Sequence, residues 1–104
     1  KNTRHNTVLN NIDNINIQAG DVRILTNINK SFGIIMANIN RNILLNDMSA
    51  FVQVMEKDGI LILSGFYETD AVVILKRASE LGLIETRRHK EDEWICLTLR
   101  LSRI

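Results

Sequence analysis

Apolar residues fall into two kinds of run along this chain, and their alternation organises it. Gly33-Ile34-Ile35-Met36-Ala37 and Ile60-Leu61-Ile62-Leu63 are continuous, as expected of parallel strands covered on both faces. Ile15 to Gln18 is a shorter strand candidate that leads to Gly20 and Asp21 at a turn. Elsewhere the spacing changes. Ile39, Ile43, Leu44, Met48, Phe51, Val52 and Met55 recur every three or four residues, which predicts a helical stripe that Lys57-Asp58-Gly59 stops. Ala71, Ile74, Leu75, Ala78 and Leu81 predict a second helix, closed by Gly82, where a left-handed backbone costs little. Leu83 to His89 and Trp94 to Leu101 are two extended segments joined by the charged stretch Lys90 to Glu93, which reads as a hairpin. Asn2 to Asn11 has the pattern of a helix tail, and the first residue is Lys1 rather than methionine, so the chain is expected to be a piece of a longer one.

Helix tail, strand, strand, helix, strand, helix, hairpin is the order of a mostly parallel α/β sheet with right-handed crossovers. Ligands of such sheets bind beyond the carboxyl ends of the strands, near a topological switch point. That rule singles out Asp21, Asn38 and the Ser64-Gly65 pair. The 104 residues fit one domain. Every asparagine lies between Asn2 and Asn46, but no Pro or Ser tract separates the halves, so the shift is drift in composition rather than a boundary.

Charge and ligand chemistry remove several classes of function. Thirteen Lys and Arg against 12 Asp and Glu leave a net charge of only +1, too little for non-specific phosphate binding, so nucleic acid is not an expected partner. Arg87-Arg88-His89-Lys90 is followed at once by Glu91-Asp92-Glu93, the pattern of a solvated hairpin tip. No apolar run approaches the roughly 18 to 20 residues that span a bilayer, so no membrane partner is expected and the cytoplasm is the expected location. Cys96 has no cysteine partner, and with His5 and His89 far apart in sequence no metal-ligand set is formed. Trp94 and Cys96 read as strand positions facing a helix, and Met36, Met48 and Met55 as core filling.

Ile34-Ile35-Met36-Ala37-Asn38-Ile39, the helix after it, Gly59-Ile60-Leu61-Ile62-Leu63-Ser64-Gly65 and the closing Glu93-Trp94-Ile95-Cys96-Leu97 together resemble the carboxyl-terminal part of the ribosomal protein L11 methyltransferase family. The resemblance runs from about Asn6 to Leu101, and its most specific parts are Ala37-Asn38-Ile39 and Leu63-Ser64-Gly65. It implies a Rossmann-like class I methyltransferase sheet of seven strands, of which residues 1–104 hold the third to the seventh, the seventh inserted antiparallel beside the fifth. It also implies transfer of methyl groups from S-adenosylmethionine to amino groups of a large-subunit ribosomal protein.

The resemblance gives roles to particular residues. Asp21 would accept a hydrogen bond from the adenine amino group of the cofactor, which suits a carboxylate because it accepts and does not donate. Asn38 would place the substrate amine beside the methyl donor, and so touches both cofactor and substrate. Displacement at a sulfonium methyl needs a neutral amine lone pair in line at about 3 to 3.5 Å, and an amide carbonyl can orient it. Ser64 and Gly65, ending the next strand, are read as substrate-binding positions. On local evidence alone Asp21 is an ordinary turn residue and Asn38 an ordinary cap for the following helix. Class I methyltransferases hold their cofactor on a glycine-rich turn after the first strand, yet here no two glycines are closer than Gly59 and Gly65. These residues by themselves are therefore expected to bind S-adenosylmethionine weakly or not at all and to have no turnover. The competing reading is a non-catalytic α/β interaction module that self-associates through an open sheet edge.

Overall fold

A computed structural model of the chain describes residues 14–18, 25 and 31–102. The expected strand near Ile15 is Asn14–Ile17 (β1) and the next is Phe32–Asn38 (β2). Helix Arg41–Gln53 (α1) follows, then the long strand Met55–Tyr67 (β3), a 3₁₀ turn at Glu68–Asp70 and helix Ala71–Glu80 (α2). Leu83–Glu91 (β4) and Trp94–Leu101 (β5) form the closing hairpin, turned by Asp92 at φ 56°. The expected helix tail at Asn2 to Asn11 and the turn at Asp21 lie outside the described residues.

The five strands form one mixed sheet in the order β1-β2-β3-β5-β4. β1, β2 and β3 are parallel, and β5 runs antiparallel to both of its neighbours. The last strand is thus inserted between β3 and β4, the placement expected for it. α1 and α2 pack on each other and against β3 and β4, so both cover one face of the sheet. That face supplies the core: Ile35, Ala37, Leu61, Leu63, Phe66, Ile95, Leu97, Leu99 and Leu101 meet Leu44, Met48, Phe51, Ile74 and Ala78 from the helices. On the opposite face Ile34, Met36, Ile60 and Ile62 are only half-buried. The continuous apolar runs led to an expectation of cover on both faces; among the described residues only one face is closed.

Two boundaries differ from the periodicity. The stripe of α1 was expected to run through Met55, but the helix stops at Gln53, where the Val54 N–H bonds the Phe51 carbonyl. Val54 then accepts from the Phe32 N–H at 2.7 Å and Met55 pairs with Phe32, so strand pairing has claimed the end of the stripe. Lys57-Asp58-Gly59 lies inside a bulge of β3, with Asp58 at φ 64°, between the Phe32–Met55 and Ile34–Ile60 pairs. The second difference is at Ser64-Gly65, expected to end the strand. Pairing with β2 does end there, but β3 continues through a second bulge to Tyr67. The added residue turns Phe66, rather than Gly65, into the core.

Candidate functional site

Strand register places a polar row across the open face at the carboxyl end of the parallel strands. Asn38 on β2 pairs with Ser64 on β3; Cys96 on β5 lies opposite the Ser64-Gly65 bulge and pairs with His89 on β4. These residues line an open cleft of about 550 Å³, whose far wall is Glu91 and Trp94. A second hollow of about 360 Å³ lies over the ends of β1, β2 and β3, bordered by Asn16, Gln18 and Met36. Asn38 and Ser64 line both, so they form the rim the two hollows share.

Asn38 is held in place by the backbone beneath it. The Ile39 N–H donates to the Ser64 carbonyl at 3.0 Å, which locks the end of β2 against the bulge. Gly65 has φ +97°, and a β-carbon built there would lie 2.5 Å from Asn38 Oδ1. The Asn38 amide therefore occupies the space that glycine leaves open. It is exposed and makes no hydrogen bond to any described residue. The alternative role for Asn38, capping the helix, belongs to Asn40, whose side chain accepts from the Ile43 N–H at 3.1 Å. Asn40→Ala is expected to lower stability by about 1 kcal/mol, and Asn38→Ala to leave it within about 0.5 kcal/mol. Chemical denaturation of the two variants separates the roles, and a larger loss for Asn38→Ala would return the cap to it.

The structure corrects the reading of Trp94 and Cys96 as residues facing a helix. Ile95 and Leu97 take the helix side, so their neighbours in the alternation face the cleft. The hairpin tip is solvated as its charges predict, with the His89 and Glu91 side chains 72% and 81% exposed. His89 and Glu91 point into the cleft with 3.4 Å between His89 Nε2 and Glu91 Oε1, while Lys90, on the other face, reaches Glu68 at 2.8 Å. That ammonium, through its hydrogen bond first and its charge second, holds the Glu68 carboxyl below the ordinary carboxylate value. Strand alternation counted from Leu97 would have shown which of these side chains share a face; the charge pattern alone concealed it. Asp21 lies outside the described residues, and among the described residues no three His, Cys, Asp or Glu gather as metal ligands would.

S-adenosylmethionine presents an adenine, a ribose with two hydroxyls and a charged amino-acid tail. The hollow over β1 to β3 offers Asn16, Gln18, Asn38 and Ser64 among apolar neighbours, with no carboxylate for the ribose among the described residues. With no closely spaced glycines in the sequence either, the described residues alone do not make a complete holder for this cofactor.

A parallel sheet with an antiparallel strand inserted beside β3, and a cleft at the carboxyl ends, is the distal part of a class I methyltransferase fold. The crystal structure of ribosomal protein L11 methylase from Lactobacillus delbrueckii subsp. bulgaricus matches with a TM-score of 0.71 at 24% identity, over 76% of this chain and 41% of that one. A methyltransferase from Pyrococcus furiosus matches with a TM-score of 0.56 at 15% identity, over 74% of this chain and 44% of that one. The sequence model of ribosomal protein L11 methyltransferase (PrmA) matches residues 1–102, and the chain belongs to that family. The ribosomal protein L11 methyltransferase of Porphyromonas gingivalis is 40% identical over 97 residues, covering 93% of this chain and 33% of that protein. The Bacteroides thetaiotaomicron protein of the same name is 39% identical over 94 residues, covering 90% of this chain and 33% of that one. The chain thus spans about a third of the length of these relatives.

Proposed function

We propose that residues 1–104 are the distal part of the catalytic domain of a methyltransferase that uses S-adenosylmethionine to methylate amino groups of ribosomal protein L11. The observation that supports this most is Asn38 on the rim shared by two hollows, because transfer between two bound molecules needs adjoining sites with one residue at their junction. The cleft over β3, β5 and β4 receives the amine. Asn38 Oδ1 accepts one amine N–H and so turns the lone pair toward the neighbouring hollow; Ser64 and Gly65 shape the floor. The cofactor supplies the methyl group in the complete protein, and Asp21 takes the adenine amino group there. A cytoplasmic reaction is part of this reading, supported by the ribosomal protein in the relatives' names; no described helix is long and apolar enough to cross a membrane.

In the full-length protein, Asn38→Ala is expected to lower kcat by about 100-fold with the fold unchanged, the size of effect that misplacing a reacting group by about 1 Å produces. Undiminished turnover would remove Asn38 from the reaction. Residues 1–104 alone are expected to give no saturable heat when titrated calorimetrically with S-adenosylmethionine. Micromolar affinity would show that these residues hold the cofactor without a glycine-rich turn.

The interaction-module reading depends on the sheet edges, β1 and β4. β1 is four residues long and β4 carries Arg88, Lys90 and Glu91, features that oppose edge-to-edge pairing. Dimerisation through an edge therefore draws less support than the transferase reading.

A further inference from the structure

The amine cleft has one aromatic wall, Trp94, and the question is what holds it. Trp94 is the first residue of β5, directly after the two-residue turn, and is 49% exposed, so the core does not enclose it. Its neighbour is Tyr67, the last residue of β3, which pairs with it across the strands. The two rings stack with centroids 4.4 Å apart and an interplanar angle of 28°. Tyr67 is itself 46% exposed and is not part of the cleft wall.

The backbone that carries the Tyr67 ring is fixed by side-chain contacts as well as by strand pairing. Its N–H donates to Asp70 Oδ2 at 3.2 Å, and Asp70 Oδ1 receives Arg41 at 3.2 Å from the start of α1. One residue on, the Glu68 N–H donates to the Glu93 carbonyl at 3.0 Å and the Glu68 carboxylate takes Lys90 at 2.8 Å. The 3₁₀ turn is thus fastened to the hairpin through Glu68 and to α1 through Asp70. We propose that Tyr67 is a positioning residue: by stacking on Trp94 it fixes the indole as a preformed wall, against which the aliphatic stem of an amine-bearing side chain lies while Asn38 takes the nitrogen. The inference rests on the amine-site reading above and adds to it the residue that prepares the wall. An indole free to turn would have to be ordered by each incoming substrate; one already stacked does not.

Trp94 is the sole tryptophan, so near-ultraviolet circular dichroism and intrinsic fluorescence report on it directly. The probe is the capped peptide Ala-Ala-Lys-Ala-Ala, titrated into the 104-residue chain and followed by tryptophan emission. Tyr67→Ala is expected to abolish the aromatic dichroism band of the stacked pair and to weaken peptide binding by about three- to tenfold, the factor that ordering one side chain costs. Tyr67→Phe, which keeps the ring, is expected to retain the band and bind within about twofold of the original. An unaltered band and affinity in Tyr67→Ala, or a Tyr67→Phe chain as weak as Tyr67→Ala, would overturn the proposal. Asn38→Ala separates the two readings: if it leaves binding unchanged while Tyr67→Ala weakens it, the amine-site reading fails and the positioning role stands. A wild-type chain that does not bind the peptide removes both.

Discussion

Gly65→Ala is expected to cost about 2 to 4 kcal/mol and to lower the melting temperature by roughly 10 to 25 °C. Two independent penalties add at this position. At φ +97° an L side chain is strained whatever surrounds it, for about 1 to 3 kcal/mol. The new β-carbon would also sit 2.5 Å from Asn38 Oδ1 and 3.0 Å from the Ile39 nitrogen. The amide can swing away, but the Ile39 nitrogen is backbone already bonded to the Ser64 carbonyl, so relief means breaking the lock between β2 and the bulge. Gly82→Ala is the matched control. Its φ is +88°, but the nearest atoms to a β-carbon there lie at 3.4 and 3.7 Å, so only the backbone penalty applies, about 1 to 2 kcal/mol. Thermal unfolding of the two variants therefore separates strain from crowding. Equal losses would mean that the bulge relaxes around the methyl group and that Asn38 is not held by Gly65.

Phe66→Ala is expected to be the most damaging truncation near the site, at about 3 to 5 kcal/mol. Phe66 is 2% exposed and is among the largest side chains in the core. It lies one residue beyond the bulge and pairs with Ile95, so its loss leaves a cavity where β3 and β5 meet under the helices. A domain of this size has about 5 to 15 kcal/mol in total. The variant should therefore show a shortened or absent native baseline in urea, whereas Asn38→Ala, a few ångströms away on the open face, should retain the wild-type midpoint. A Phe66→Ala midpoint equal to wild type would show that Phe66 is not packed as the register requires.

Much of this fold is legible in the chain because the signals are local. The stripe from Ile43 to Val52 and the one from Ala71 to Leu81 identify the two helices, and Gly82 at positive φ closes the second. The alternation across Leu83 to Leu101 identifies the hairpin. The place of Asn38 at the end of a buried strand is also local information, and in the structure it lines both hollows. The errors also have a local origin. Met55 completes the helical stripe perfectly well until Phe32, more than twenty residues earlier in the chain, pairs with it. On local evidence Asn38 is an ordinary cap, but the hydrogen bond to Ile43 gives that role to Asn40.

The amino-acid sequence by itself determined the kinds of element, their order and the family, because periodicity, capping residues and turn glycines act over a few neighbouring positions. Tertiary structure alone decided how the open faces of neighbouring strands line up. Two bulges in β3 and one register shift in β4 set that alignment, and a shift of one residue exchanges the core face for the open one. Trp94 and Cys96 follow the alternation of β5 itself, but the bulge that sets Ser64 opposite Cys96 and the shift in β4 that brings His89 and Glu91 beside them arise only when the strands pair.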